Sequence, residues 1–314
     1  MLRIRHFEEK IVNAYPEQEM KTPVHLCIGQ EAVAAGICAH LRSEDYLATT
    51  HRNHGHCLAK GVSPRAMFAE FYGRVTGCCR GKGGSMHLCS PENGVLGTSA
   101  IVGGGIPIAT GYGMAIHLRG ESRMSVGFFG DGASEEGSFH ESLNFACLHK
   151  LPVLFVCENN SYATNSPIGA RQLHPDIFRR ASAYGLPAEL VDGNDAVEVY
   201  RAGRRAVEYV RSGQGPYFLE CRTYRFKGHV GPECDWEKGC RPKDELLAWM
   251  ERCPVATLTN TLLREGEIDQ AWLDALAAKD NAEFDEAISF GRSSPFPDPA
   301  ELTMHVYAEP GQGK

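Results

Sequence analysis

Between Arg123 and Asn160 the chain reads apolar strand, Gly130-Asp131-Gly132, helix, second apolar strand, Asn159-Asn160. This stretch restricts the fold more than any other. Two apolar runs, MSVGFF after Arg123 and residues 152–157, flank a helical segment and predict parallel strands covered on both faces. Asp131 then falls at the carboxyl end of the first strand, where open parallel sheets bind ligands, and Asn160 ends the second. A carboxylate and a carboxamide suit magnesium, which takes one or two protein oxygens and completes its shell with phosphate oxygens and water. Gly132 lets the backbone come close to a diphosphate. A helix from Ser134 offers that anion free amides and a positive dipole end. Either turn alone reads equally well as an ordinary Asp-Gly or Asn-Asn turn. The pair, with twenty-six residues between Gly132 and Asn159, points to a cation held on a diphosphate.

The rest of the chain extends the same alternation. Residues 1–15 place Ile4, Phe7, Ile11 and Val12 at helical spacing. Gly29 to Leu41 is small and apolar and reads as a buried helix, and residues 61–72 form another, led in by Ser63-Pro64. A glycine-rich loop, 80–87, comes next; residues 103–118 read as a tightly packed helix and 217–221 as a further strand. The expected fold is α/β, a doubly wound parallel sheet flanked by helices. Residues 1–253 are read as that domain, and 254–314, with a helical stretch over 267–291 followed by SSPFPDPAEL, as a C-terminal helix and arm packed on it.

Composition excludes several classes. At 314 residues the chain can bury a large core, and a net charge of −7 gives no basic field for nucleic acid. The opening MLRIRHFEEKIVNAY has no apolar centre suited to a signal peptide, and no apolar run reaches membrane-spanning length. Twelve cysteines lack the spacing of a disulfide framework; Cys27, Cys38, Cys147 and Cys157 sit among apolar residues as free thiols do. A reducing, cytoplasmic compartment is the expectation.

With RIRHFEEKIVNAY, HLCIGQEA, THRNHGHCLAKG, GKGGSMH, AIVGGGIPIATG, the central motif, TYRFKGHVG and SSPFPDPAEL in order, the chain resembles, almost end to end, one family. This is the alpha subunit of the thiamine-diphosphate-dependent decarboxylating component of 2-oxo acid dehydrogenase complexes, of the pyruvate and acetoin dehydrogenase type. The resemblance implies the diphosphate-binding half of the thiamine-diphosphate fold. It implies magnesium ligands at Asp131, Asn160 and the Tyr162 carbonyl, and diphosphate contacts from the backbone of Gly132 and Ala133. Arg52 matches a phosphate-clamping arginine, a role suited to a planar multi-donor group. His51 stands where pyruvate-type members commonly have tyrosine, and an imidazole can still donate to phosphate. Ala100 and Val102 match positions whose backbone touches the aminopyrimidine, Ala100 replacing a frequent glycine. His229 matches the family's active-site loop histidine, a proton donor or electrostatic partner near the thiazolium. Val230 stands where animal members carry a regulatory serine, which excludes phosphorylation control there, and GPECDWEKGC departs from the family's serine-rich loop.

Other clusters read more plainly. His51, His54, His56 and Cys57 have no distant second pair of the kind zinc sites use, and read as phosphate-proximal residues plus a solvated loop. Cys78, Cys79, His87 and Cys89 are similarly unconvincing as a metal site. The glycine-rich loop lacks a GKS/GKT ending and a preceding strand; it reads as lining the site entrance, with His87 a lesser candidate for involvement. Core packing is the expectation for His25. Glu135-Glu136 open a helix, where acidic residues are favourable.

The resemblance further implies that the glutamate activating the aminopyrimidine lies on a beta subunit, in a complex of two alpha and two beta subunits. Three readings follow. The first is oxidative decarboxylation of a 2-oxo acid, or acetoin cleavage, with acyl transfer to a lipoyl-bearing acyltransferase. The second is a non-oxidative acyloin-type enzyme that makes or breaks a carbon–carbon bond. The third is a non-catalytic paralogue, against which Asp131, Asn160 and Arg52 argue.

Overall fold

The apolar, β-branched or aromatic runs 125–130, 153–159 and 217–222 become the three central strands, buried on both faces. A computed structural model of the chain describes residues 1–304 and 306. Its strands are β1 (Tyr46–Thr49), β2 (Val95–Thr98), β3 (Ser125–Gly130), β4 (Val153–Asn159), β5 (Tyr162–Ala163), β6 (Ser166–Pro167), β7 (Ala188–Asp192) and β8 (Tyr217–Arg222). β5 and β6 form a small antiparallel hairpin, and the other six make one parallel sheet in the order β2-β1-β3-β4-β8-β7. Gly130 of β3 lies opposite Glu158 of β4, so the strands end nearly level and Asp131 and Asn160 emerge side by side.

Helices cover both faces. α1 (Leu2–Ala14), α2 (Glu31–Cys38), α3 (His54–Ala59) and α4 (Pro64–Phe71) lie on one side, α5 (Gly105–Arg119), α6 (Gly137–Leu148) and α7 (Ile177–Ser182) on the other, and α8 (Ala196–Arg211) returns to the first. α5 sits close on β3: a Cβ at Gly127 would lie 2.9 Å from the Cβ of Ala109, and Ser125 Oγ donates to the Ala109 carbonyl at 2.7 Å. The expected doubly wound α/β architecture is present. α9 (Lys243–Glu251), α10 (Pro254–Glu265) and α11 (Gln270–Ser293) follow. α11 inserts Phe284, Ala287 and Ile288 into the same core as α1 and α4, and Arg3 bridges Asp280 and Glu283 across the seam. The end of the expected arm, 307–314, lies outside the described residues.

One local expectation is corrected. The helix after Asp131 begins at Gly137, not Ser134. Residues Asp131–Glu135 form a 3-10 turn, because Ser134 Oγ donates back to the Asp131 carbonyl at 2.7 Å and Glu136 is extended. The first amides after the aspartate therefore belong to a tight turn rather than to an α-helical end.

Candidate active site

Strand order reverses direction between β1 and β3: β2 is added on one side of β1, while β3 and β4 extend the sheet on the other. Ligands of doubly wound sheets bind at such a switch point, outside the carboxyl ends of the strands. A cavity of about 210 Å³ opens there. Its wall takes His51 and Arg52 from just beyond β1, Ala100 and Val102 from beyond β2, Asp131, Gly132 and Ala133 from just beyond β3, Asn160 from just beyond β4, Tyr162 from β5, and His229 from beyond β8. All the residues singled out for the site, from five separate stretches of sequence, converge on one crevice.

Asp131 is 1% exposed. Burial pushes its carboxyl up from the usual carboxylate range, against the opposing pull of Arg171. The Arg171 guanidinium spans Asp131 and Glu135, donating to both; Gln172 Nε2 also donates to Glu135, at 2.6 Å. Glu135 is thus a partner of Arg171 and Gln172 rather than a helix-opening charge. A Cβ at Gly132 would lie 2.8 Å from the Cβ of Ala163, so only glycine lets the β3 turn meet the β5 hairpin this closely. Asn160 Oδ1 accepts from the Tyr162 amide at 3.3 Å. The Tyr162 hydroxyl is engaged elsewhere, donating to Glu245 at 2.7 Å. Pro167, opposite Tyr162 in the hairpin, has no N–H to offer its carbonyl. Asn159 is a strut: its Nδ2 donates to Glu220 at 2.7 Å.

Arg52 is buried, and its guanidinium donates only to backbone carbonyls, Leu26 at 2.6 Å and His229 at 3.1 Å. No carboxylate ion pair to it is formed among the described residues. Beside it three imidazoles pack edge to face, with ring centroids 4.5 Å apart for His25–His51, 5.1 Å for His25–His229 and 5.3 Å for His51–His229. Burial, reinforced by the Arg52 charge, holds all three neutral: His25 falls to about 2, His51 to about 3 and His229 to about 4. His25 departs from the core-packing expectation, since it lines the cavity and its buried Nδ1 has no partner. Gln30 and Glu158 also line the wall and were not singled out. The available signal for Glu158 was a charge in an otherwise apolar strand, directly before Asn159. Gln30 lies in the same HLCIGQEA run as His25.

Ala100 and Val102 sit at the mouth, where Ile101 and Val102 are 73% and 53% exposed. The glycine-rich loop serves a different purpose from a phosphate cradle. It wraps the buried Glu70 carboxylate, which accepts from the amides of Cys79, Gly81, Gly83 and Gly84 at 2.7–3.1 Å. Met86 reaches the cavity wall, whereas His87 is exposed and bonds the Thr98 carbonyl at 3.1 Å. His54 and His56 form no solvated loop; both are buried in α3. His54 bridges Glu8 and Ser85 at 2.9 and 2.7 Å, and His56 stacks on Phe128. All twelve cysteines are unpaired.

With this geometry in place the relatives become informative. The profile of the dehydrogenase E1 component family matches residues 1–300. The chain belongs to the dehydrogenase E1 component family. It is 40% identical over its full length to the alpha subunit of the acetoin:2,6-dichlorophenolindophenol oxidoreductase of Bacillus subtilis, covering 93% of that protein. It is 39% identical, over 99% of its length and 73% of the relative's, to the chloroplastic pyruvate dehydrogenase E1 component subunit alpha-3 of Arabidopsis thaliana. The alpha subunit of the Cupriavidus necator acetoin:2,6-dichlorophenolindophenol oxidoreductase is 36% identical over 98% of the chain and 93% of its own length. As an E1 component chain it is an oxidoreductase subunit of a thiamine-diphosphate-dependent enzyme. No helix among the described residues is long and apolar enough to cross a membrane.

Proposed function

We propose that this chain is the alpha subunit of a dehydrogenase acting on a 2-oxo acid or acetoin, and that it binds the diphosphate of thiamine diphosphate through magnesium at Asp131, Asn160 and the Tyr162 carbonyl. The observation that carries this reading is the level emergence of Asp131 and Asn160 from neighbouring strands, with β5 directly after. The donor set is all hard oxygen, the preference of magnesium. Burial without a metal raises the Asp131 carboxyl, which is the state a bound cation would relieve. Gly132, with no Cβ, lets this turn pack on Ala163, and in this reading the Gly132 and Ala133 backbone faces the diphosphate. Arg52, whose own partners are carbonyls, carries a charge for a terminal phosphate, and His51 beside it is a neutral donor.

The cofactor, when bound, supplies the electron sink for carbon–carbon bond cleavage. The chain's part is to hold and to exclude. Ala100 and Val102 place backbone at the mouth for the aminopyrimidine. His229, neutral at physiological pH, accepts or donates a proton at its ring nitrogens near the reacting atoms. A beta subunit completes the site and covers the exposed Ile101 and Val102; two alpha and two beta subunits are the proposed assembly. The acyl product passes to a lipoyl-bearing acyltransferase in this reading, and formation of acyl-lipoyl rather than free acyloin checks it. Residues from 254 onward are read as an arm of the same domain. Twelve unpaired thiols support a reducing, cytoplasmic setting.

Calorimetry tests the central part. The chain with its beta subunit should bind thiamine diphosphate tightly only when magnesium is present. Asp131→Asn should weaken that binding by more than the roughly 10- to 100-fold that loss of an outer-shell partner costs. Magnesium-independent binding, unchanged in the variant, would refute it.

A further inference from the structure

The cavity holds a second constellation that the oxygen site does not use. One ring nitrogen from each of His25, His51 and His229 lies within 4.8 Å of the others. These residues come from three remote parts of the chain: the loop before α2, the end of β1, and the segment after β8. This is the convergence that the local run His51, His54, His56, Cys57 lacks, since its other members turn away into the core. His25 is 7% exposed and lines the cavity, and its buried Nδ1 has no hydrogen-bond partner. An orphaned buried nitrogen of this kind calls for a hydrogen-bond partner or a metal.

We propose that His25, His51 and His229 form a three-imidazole site for a borderline divalent metal of the zinc type, separate from the all-oxygen magnesium site. Zinc and cobalt(II) accept three imidazoles plus one open position, whereas magnesium prefers hard oxygens. Tetrahedral zinc–nitrogen bonds of about 2.0 Å place the nitrogens about 3.3 Å apart, so modest side-chain rotations close the cluster around an ion. All three rings are neutral at physiological pH, the form that ligates; burial and the Arg52 charge, which keep them so, also oppose a cation and restrict the site to an ion that brings an anion with it. Arg52 carries like charge nearby, but its N–H groups point to the Leu26 and His229 carbonyls, and the anion fills the fourth position. On the function proposed above, an ion here occupies the reactive end of the cavity and blocks turnover without displacing magnesium. That consequence rests on the functional reading; the binding itself does not.

Cobalt(II), added to the full chain in excess magnesium, is the probe. Tetrahedral d–d absorption should develop without thiolate-to-metal charge transfer. It should survive Asp131→Asn, and the apparent Kd should rise in both His51→Gln and His229→Gln by more than the roughly tenfold that loss of an outer-shell partner alone can cost. Thermal unfolding of each variant confirms that it folds, and His51→Tyr serves if His51→Gln does not. Absence of tetrahedral bands, or their persistence in both folded histidine variants, would overturn the proposal. So would loss of the bands in Asp131→Asn. Bands with thiolate charge transfer that vanish in Cys79→Ser would also overturn it, by placing the metal at Cys78-Cys79.

Discussion

Asp131 has a cation beside it already. The Arg171 guanidinium bridges Asp131 and Glu135 across the crevice, where a metal-bound carboxylate would also have to be shared. Arg171→Gln should therefore tighten magnesium binding by up to about tenfold, corresponding to roughly 1 kcal/mol for one like charge and one competing ion pair. Magnesium titration followed by calorimetry checks this, and an unchanged or weaker affinity would show that Arg171 supports the site instead. Asp131, Gly132 and Asn160 were legible in the sequence because one strand–turn–helix–strand unit contains them all. His25 was not. Its partners His51 and His229 lie on other elements, and only the assembled sheet brings the three rings together.

At the scale of elements, the glycine-rich loop shows how a familiar pattern can serve a different anion. Glycines clear the way for four amides to surround a carboxylate, and here the carboxylate is internal, Glu70 on α4. Sequence alone gives no sign of this, because the glutamate precedes the loop and carries no motif. Glu70→Ala should destabilise the fold by about 3 kcal/mol, since the charge-assisted bonds are lost and the amides are left unpaired. Urea unfolding measures it, and a loss below 1 kcal/mol, the ordinary surface-substitution range, would contradict the structural role. α8 was passed over, though its signals are local. Asp195 caps Val197 and Glu198 at 2.9 and 3.0 Å, and Val199, Ala202, Ala206 and Val210 line one buried face. Strands β1, β2 and β7 are too short to announce themselves by alternation; tertiary pairing makes them.

The whole molecule keeps three imidazoles neutral by burial beside the Arg52 guanidinium, and this has a consequence for stability. Their folded values, about 2, 3 and 4, lie below the ordinary 6.5 of the unfolded chain. Below the ordinary value the unfolded state binds protons that the folded state refuses. The contribution of these residues is therefore fully present above about pH 6.5 and is lost as pH falls from there towards 4 and below. Urea midpoints should fall across that window, and fall less steeply in His51→Gln; identical slopes would contradict the burial of these rings. Ile101 and Val102 at the cavity mouth are exposed, and the proposed beta subunit would cover them. Purified alone, the chain should show no turnover, and steady-state assay with and without the beta subunit decides. All of this depends on where the cofactor sits, and a crystal structure of the alpha–beta complex with thiamine diphosphate and magnesium measures that directly. The diphosphate should lie across the ends of β3 and β4, with the metal on Asp131, Asn160 and the Tyr162 carbonyl. A cofactor bound elsewhere, or a metal held by other residues, would contradict the account.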